Sequence, residues 1–192
     1  MKHTISVIYG SVRADRVGIK AAQYLEKQLL ARNHKVHFID PMVYQLPLLD
    51  KMYRQYEKGQ APENLQKLAD LFNASDGFLI VSGEYNHSVP PALKNLLDHF
   101  QREYYFKASA IATYSAGIFA GVRAALHLRT ILGELGMPAI SSMQPFPQVH
   151  KAFNDKLQAV QEITDKSTSK FLDEFEWYMQ ALKVQREKGL PW

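Results

Sequence analysis

One stretch in the middle of the chain restricts the fold more than any other. Phe78-Leu79-Ile80-Val81-Ser82 is a short apolar run that reads as a buried strand. A polar connection follows, Gly83-Glu84-Tyr85-Asn86-His87-Ser88. Pro90 and Pro91 stand where a helix begins, the one part of a helix that tolerates proline. Leu93, Leu96, Leu97 and Phe100 then recur at helical spacing. Residues 78–100 are therefore a strand, a tight turn and a helix. In an open parallel sheet, ligands bind outside the carboxyl ends of strands, and this turn lies at such a place. Its side chains exceed what a connection needs. Tyr85 offers a flat apolar face, Asn86 offers both a donor and acceptors, and backbone amides of the turn can point outward. Together with Glu84 and His87, that set suits a planar heterocycle with polar edges.

The rest of the chain repeats the pattern. Thr4–Tyr9 is a β-branched first strand, followed by the turn Gly10-Ser11-Val12-Arg13-Ala14-Asp15-Arg16-Val17-Gly18. A helix from about Ile19 to Arg32 turns Ala22, Leu25, Leu29 and Leu30 inward, and Val36–Ile39 is a second strand. A helix over 62–74, with Leu65, Leu68, Ala69 and Phe72 inside, leads to the third strand. Ala110–Tyr114 is the fourth strand, followed by the turn Ser115–Gly121 and a helix bearing Ala124, Ala125, Leu128, Ile131 and Leu132. Residues 138–143 form a weak fifth strand, and a helical pattern from about Asn154 to Lys188 carries Leu157, Val160, Phe171, Phe175, Tyr178 and Leu182. Alternating strands and helices predict an α/β fold on a parallel sheet. At 192 residues the chain suits one domain, with a core over about 1–150 and a helical cover over about 151–192.

Composition narrows the function. No cysteine is present, which excludes disulfides, thiolate catalysis and cysteine-ligated metal. The net charge of +4 favours anionic ligands, but the basic residues are dispersed, so no nucleic-acid surface is expected. No apolar run is long enough to cross a membrane. The first residues run straight into a strand without a signal-peptide pattern, so the cytoplasm is the expected location. His34 and His37 lack a third ligand nearby and read as a surface pair, so no metal is expected. Residues 41–61 are too long for an ordinary strand-to-helix connection and too rich in Tyr44, Tyr53, Tyr56 and leucine for a disordered linker. They read either as an ordered lid or interface segment or as a loop packed on its own domain.

Three turns share one logic. The first precedes a helix, where free amides and the helix dipole favour an anion. Ser11 adds a hydroxyl, and Arg13 and Arg16 add guanidinium forks suited to phosphate, unless both arginines merely face solvent. Neither a Walker loop nor a dinucleotide fingerprint is present, which points to one terminal phosphate. The turn after the fourth strand has Gly117 and Gly121, which permit close backbone approach. In the sheet order 2-1-3-4-5, strands one and three flank the switch point at which flavodoxin-like folds bind FMN.

These motifs resemble the NADPH-dependent FMN reductase family of flavodoxin-like quinone and azo-type reductases. The family's Gly-Ser-x-Arg is matched by Gly10-Ser11-Val12-Arg13, with Arg16 three residues on. Its Pro-Glu-Tyr-Asn-x-Ser-x-Pro-x-x-Leu-Lys-Asn-x-x-Asp is matched over residues 83–98, with Gly83 in place of the proline. Glu103-Tyr104, the segment Ser115–Ala124 and Leu128-Arg129 also fit, although Ala116 and Ala120 stand where glycines are common.

The resemblance covers about residues 4–140 and implies a doubly wound five-stranded sheet, to which the helical pattern from about Asn154 adds a long C-terminal helix. It also implies an enzyme that takes hydride from NADPH or NADH through FMN to a quinone, azo compound or free flavin. Gly10, Ser11, Arg13, Arg16 and Gly18 would form the phosphate turn; Glu84, Tyr85, Asn86 and His87 would line the ring; Ser115 and Gly117 would close its other edge. Glu84 has a second reading, as an acceptor for backbone amides, and His87 as an ordinary loop residue. No side chain is assigned as catalytic, because the cofactor carries the chemistry. A homodimer or tetramer is also implied, and the aromatic 41–61 segment is then expected to bring Tyr53 or Tyr56 near the partner's flavin, unless these tyrosines only cap their own core. The rival readings are a non-enzymatic electron carrier, which the basic charge disfavours, and a flavin sensor.

Overall fold

Each strand leads into a helix that carries the chain back to the starting edge, so all five strands run parallel. The computed structural model describes all 192 residues. In chain order the elements are β1 (Thr4–Tyr9), α1 (Ile19–Ala31), β2 (Lys35–Ile39), α2 (Glu63–Asn73), β3 (Gly77–Gly83), α3 (Pro91–Asp98), β4 (Ala108–Tyr114), α4 (Val122–Glu134), β5 (Ala139–Phe146), α5 (Val149–Ala152) and α6 (Glu162–Glu187). The sheet order is β2-β1-β3-β4-β5, as expected. The fold is flavodoxin-like.

Burial on both faces explains the apolar strands. Ile5, Val7, Tyr9, Leu79 and Val81 point to one face and meet Leu25 and Leu29 of α1 and Phe171, Phe175 and Met179 of α6. Ile8, Phe78, Ile80 and Ile111 point to the other, beneath α2, α3 and α4, where Phe72 and Tyr104 pack edge to face on Phe78 and Phe100 does so on Phe72. The alternation follows from the period of two along a strand. Pro90 caps α3 and Pro91 occupies its first turn, as the sequence indicated.

Three details depart from expectation. Leu30 is exposed, and Tyr24 and Ala21 take the inner face of α1 instead. The long C-terminal helix begins only at Glu162. Asn154 interrupts it: its Oδ1 accepts the amides of Lys156 and Gln158, Leu157 adopts a left-handed φ of 54°, and Phe153 pairs with Ala159. Such local side-chain bonds offer the backbone an alternative to helix, and Val160 is left exposed. Finally, His34 is no surface residue. It is buried, its Nδ1 accepts the His3 amide at 3.1 Å, and its Nε2 therefore carries the proton and faces Glu176 at 3.1 Å. No group of three side chains able to hold a metal exists in the chain.

The 41–61 segment is ordered and packs on its own α2 and α3. Asn95 clamps it, donating to the Pro47 carbonyl at 2.8 Å and accepting the Leu49 amide at 2.9 Å. Tyr53 donates its amide to His99 O at 2.8 Å and its hydroxyl to Gln66 at 3.2 Å. Tyr53 and Tyr56 are half-buried against the α2–α3 core. Both tyrosines therefore pack on their own fold and keep part of their surface exposed.

The amino-terminal edge of the sheet carries a buried charge cluster. Burial alone would push the Asp76 carboxyl up, but the Thr4 amide at 3.0 Å and the Lys183 ammonium at 3.0 Å overcome this and hold it below its usual range. His3 is buried beside it, 3.6 Å from Asp76, and burial pushes its imidazole below the usual 6.5 despite that carboxylate. An imidazole that binds its proton less readily folded than unfolded contributes stability that is fully present above about pH 6.5 and is lost as pH falls below that value through the lower folded one. The melting temperature should therefore decline between pH 7.5 and 5.5. His3→Leu should flatten part of that decline, and an unchanged profile in the variant would exclude His3 as its source.

Candidate functional site

The carboxyl ends of β1, β3 and β4 are neighbours in the sheet, and the three turns that leave them form one surface. In the first turn the amides of Ser11, Val12, Ala14, Asp15 and Arg16 donate to no acceptor within the chain. Arg13 is exposed and its guanidinium has no internal partner. Arg16 behaves differently. Its fork grips both oxygens of Asp40 at 2.5 and 2.7 Å, and it also donates to Ser11 O at 3.3 Å. Asp40 follows β2 and accepts the Met42 amide at 2.9 Å. Arg16 thus ties the turn to the neighbouring strand end and is partly withdrawn from solvent. Its guanidinium is held more firmly protonated by the Asp40 bonds.

The second turn is a two-residue hairpin. Tyr85 and Ser88 exchange both backbone hydrogen bonds, each at 2.9 Å, and Asn86 and His87 have φ of 49° and 66°. Positive φ at both central residues is the I′ geometry that suits tight hairpins. It leaves the Asn86 and His87 amides and both side chains unpaired and exposed. Tyr85 lies back over the first turn, its hydroxyl 3.2 Å from buried Ser11 Oγ.

Glu84 points elsewhere: it accepts the Arg123 amide at 3.0 Å and faces the Arg123 guanidinium at 3.3 Å. It caps the first turn of α4 and so joins the second turn to the third. In that third turn Ser115 Oγ donates to Gly117 O at 3.0 Å, and the Gln148 amide donates to the same carbonyl at 3.0 Å. Ala120 and Gly121 are both left-handed, with φ of 54° and 78°, so an alanine fills a conformation in which glycine carries no strain. Ile118 and Phe119 stand exposed on this turn, with Arg123 5.0 Å over the Phe119 ring.

Beneath the turns, Tyr114 donates its hydroxyl to Tyr9 at 3.2 Å, and the rings stack 6.1 Å apart. Burial pushes both phenols up, so they stay neutral. Gly18 is explained here. A Cβ at that position would stand 2.0 Å from the Tyr114 ring, so close packing by itself requires a glycine. Gly83, too, faces the Tyr114 ring, 3.2 Å from where its Cβ would be. Asp40, Tyr9, Tyr114 and Arg123 were not singled out from the sequence. Asp40 was accessible to topology alone, since β2 lies beside β1.

The first turn offers five unpaired amides beside an exposed guanidinium, and the second presents two more amides and two polar side chains. The fold and these donors define a flavodoxin-like, FMN-type site. The chain belongs to the NADPH-dependent FMN reductase family, whose profile matches residues 3–151. It is 33% identical to the quinone reductase of Escherichia coli K12 over 135 residues, 68% of this chain and 70% of that one. It is 30% identical to the 2-hydroxy-1,4-benzoquinone reductase of a Burkholderia species over 177 residues, 89% and 91% of the two chains. Among solved structures, the flavoenzyme NAD(P)H:(acceptor) oxidoreductase FerB of Paracoccus denitrificans superposes with a TM-score of 0.78 at 26% identity, covering 93% of this chain and 98% of that one.

Because Gly18 serves packing, Gly18→Ala should destabilise the ligand-free protein. Overpacking costs about 1–3 kcal/mol, and the 2.0 Å approach places this substitution toward the upper end. Denaturant unfolding without FMN measures it; wild-type stability would return Gly18 to a ligand-binding role.

Proposed function

We propose that the protein is an oxidoreductase that binds FMN on the three turns and passes electrons from NADPH or NADH to a small quinone-type acceptor. The unpaired donor set of the first turn is the observation that carries this reading. Five free amides, with Arg13 beside them at a strand-to-helix junction, suit a phosphate dianion. Ser11 holds Tyr85 across the turn. Arg16, through Asp40, fixes the loop's shape instead of spending its fork on the ligand. The amides and side chains of Asn86 and His87 face the polar edge of the ring, and the Ser115–Gly117 backbone borders its other side. Gly10, Gly18 and Glu84 serve the framework.

Bound FMN supplies the two-electron carrier between nicotinamide and acceptor. The chain binds and orients, and outward-facing amides stabilise negative charge on the ring. No side chain is needed as nucleophile. Relatives named as quinone reductases support the acceptor class. The basic charge weighs against a carrier that docks on other redox proteins.

The same reading includes a homodimer in the cytoplasm. Exposed Val12, Met42 and Leu48 line an apolar cavity of about 510 Å³ beside the phosphate turn, and Val43 and Leu49 in the same segment are exposed too. An apolar rim of that kind suits a second subunit. No helix is long and apolar enough to cross a membrane.

Denatured protein should release FMN and not FAD, and the purified enzyme should oxidise NADPH when given a quinone. Stoichiometric FAD, or no binding of added FMN, would overturn the assignment. Arg13→Ala should weaken FMN roughly ten- to more than a hundredfold while sparing riboflavin, a charged hydrogen bond being worth about 1.5–3 kcal/mol. Arg16→Ala and Asp40→Asn should weaken both ligands, because they disturb the loop that both share. Equal losses of FMN and riboflavin in Arg13→Ala would remove Arg13 from the phosphate.

A further inference from the structure

The opposite end of the sheet holds a second cavity, of about 470 Å³, lined by Asn73, Arg102, Tyr105, Lys107, Arg186, Leu190 and Trp192. It opens where β4 begins, whereas the flavin turns follow the strands' far ends. Three cationic side chains line it and no Asp or Glu side chain does. The exposed Arg102 guanidinium has no partner in the chain. Lys107 is buried and donates to Phe72 O at 2.7 Å and Asn73 O at 3.1 Å, which leaves one of its three N–H groups. Arg186 donates to Phe106 O at 2.9 Å, and its other amino group lies 3.6 Å from Asp76, a carboxylate already engaged by Lys183. The remaining walls are flat or apolar: Tyr105, Leu190 and Trp192, whose indole meets Phe106 edge-on at 4.8 Å.

We propose that this cavity is a binding site for a small planar aromatic carboxylate. The carboxylate would accept from Arg102, Lys107 and Arg186, and the ring would lie against Trp192 and Tyr105. Like charges held together in a partly dry place favour an anion that neutralises them. The volume lies within the range of small-molecule sites, about 300–1,000 Å³. Burial, with Arg186 on α6 opposing it, pushes the Lys107 ammonium down to about 8, although Asp76 and Glu103 face it with the opposite sign. Bound anion favours protonated Lys107, so affinity should be greatest below about pH 8 and fall above it. The proposal does not depend on the flavin assignment.

The test is calorimetry with 4-hydroxybenzoate, on the purified protein and again with saturating FMN. Sulfate supplies the charge without the ring, and 4-methylphenol the ring without the carboxylate. Binding of the benzoate alone at equal concentration, undiminished by FMN and weakening several-fold from pH 7 to 9, is the expected result. Arg102→Ala, which breaks no internal bond, should cost about tenfold, and Trp192→Ala should also weaken binding. Trp177→Phe leaves Trp192 as the sole tryptophan, whose fluorescence should change on titration. No saturable binding at millimolar benzoate, unchanged affinity in both variants, or competition by FMN would overturn the site.

Discussion

A parallel sheet covered on both faces has no room for functional groups except at the ends of its strands. Here Ile5, Val7 and Tyr9 on one side, and Ile8, Phe78 and Ile80 on the other, are all buried. Chemistry is therefore pushed into the connections. The two ends differ in kind. At the carboxyl ends, amides point outward and stay unpaired. At the amino ends, charged side chains from α6, Lys107 and the turn before β3 converge on one another. Anions suit both ends, for different physical reasons: backbone dipoles at one and crowded cations at the other.

Three contacts hold the carboxyl-end turns in one arrangement. Arg16 with Asp40 fixes the first turn to the end of β2, Ser11 with Tyr85 joins the first to the second, and Glu84 with Arg123 joins the second to the third. Beneath them the Tyr9–Tyr114 pair fills the space that Gly18 leaves open. A charged pair that is only partly exposed holds its geometry better than one free in water, and the Arg16 fork meets Asp40 in bidentate fashion. The ordering cost of the loops falls on folding, so less of it falls on ligand binding.

The sequence shows the strand–turn–helix units clearly, because buried parallel strands are continuously apolar and Pro90 and Pro91 mark a helix start. It also shows which turns bear donors. It does not show where each side chain spends its bonds. Arg13 and Arg16 look alike in sequence, yet only Arg16 lies within reach of Asp40, a residue 24 positions away that sheet pairing brings near. Glu84 reads in sequence either as a ring-lining residue or as an acceptor for backbone amides, and α4 supplies the amide it accepts, that of Arg123. The helical pattern from Asn154 fails for a local reason, since one asparagine oxygen satisfies two amides that a helix would have used otherwise. The sequence marks residues 41–61 as ordered by their aromatic content, but not the Asn95 clamp that holds them, because that contact depends on tertiary structure.

Backbone strain gives a further link between the framework and the site. Asn86, His87 and Ala120 are left-handed, a conformation that costs an L-residue roughly 1–2 kcal/mol. All three lie in the turns that present amides, and the hairpin bonds of Tyr85 with Ser88 and the cap from Glu84 hold them there. Asn33, Phe106, Gln148 and Leu157 are left-handed too, and none belongs to those turns. Strain alone therefore does not mark the site. What separates the two groups is the direction of the freed donors. At Asn33 the amide returns to Leu30 O and at Phe106 to Gly136 O, whereas at Asn86 and His87 the amides find no partner in the chain. The same conformation closes a helix in one place and opens a binding surface in another, according to whether a carbonyl stands within reach.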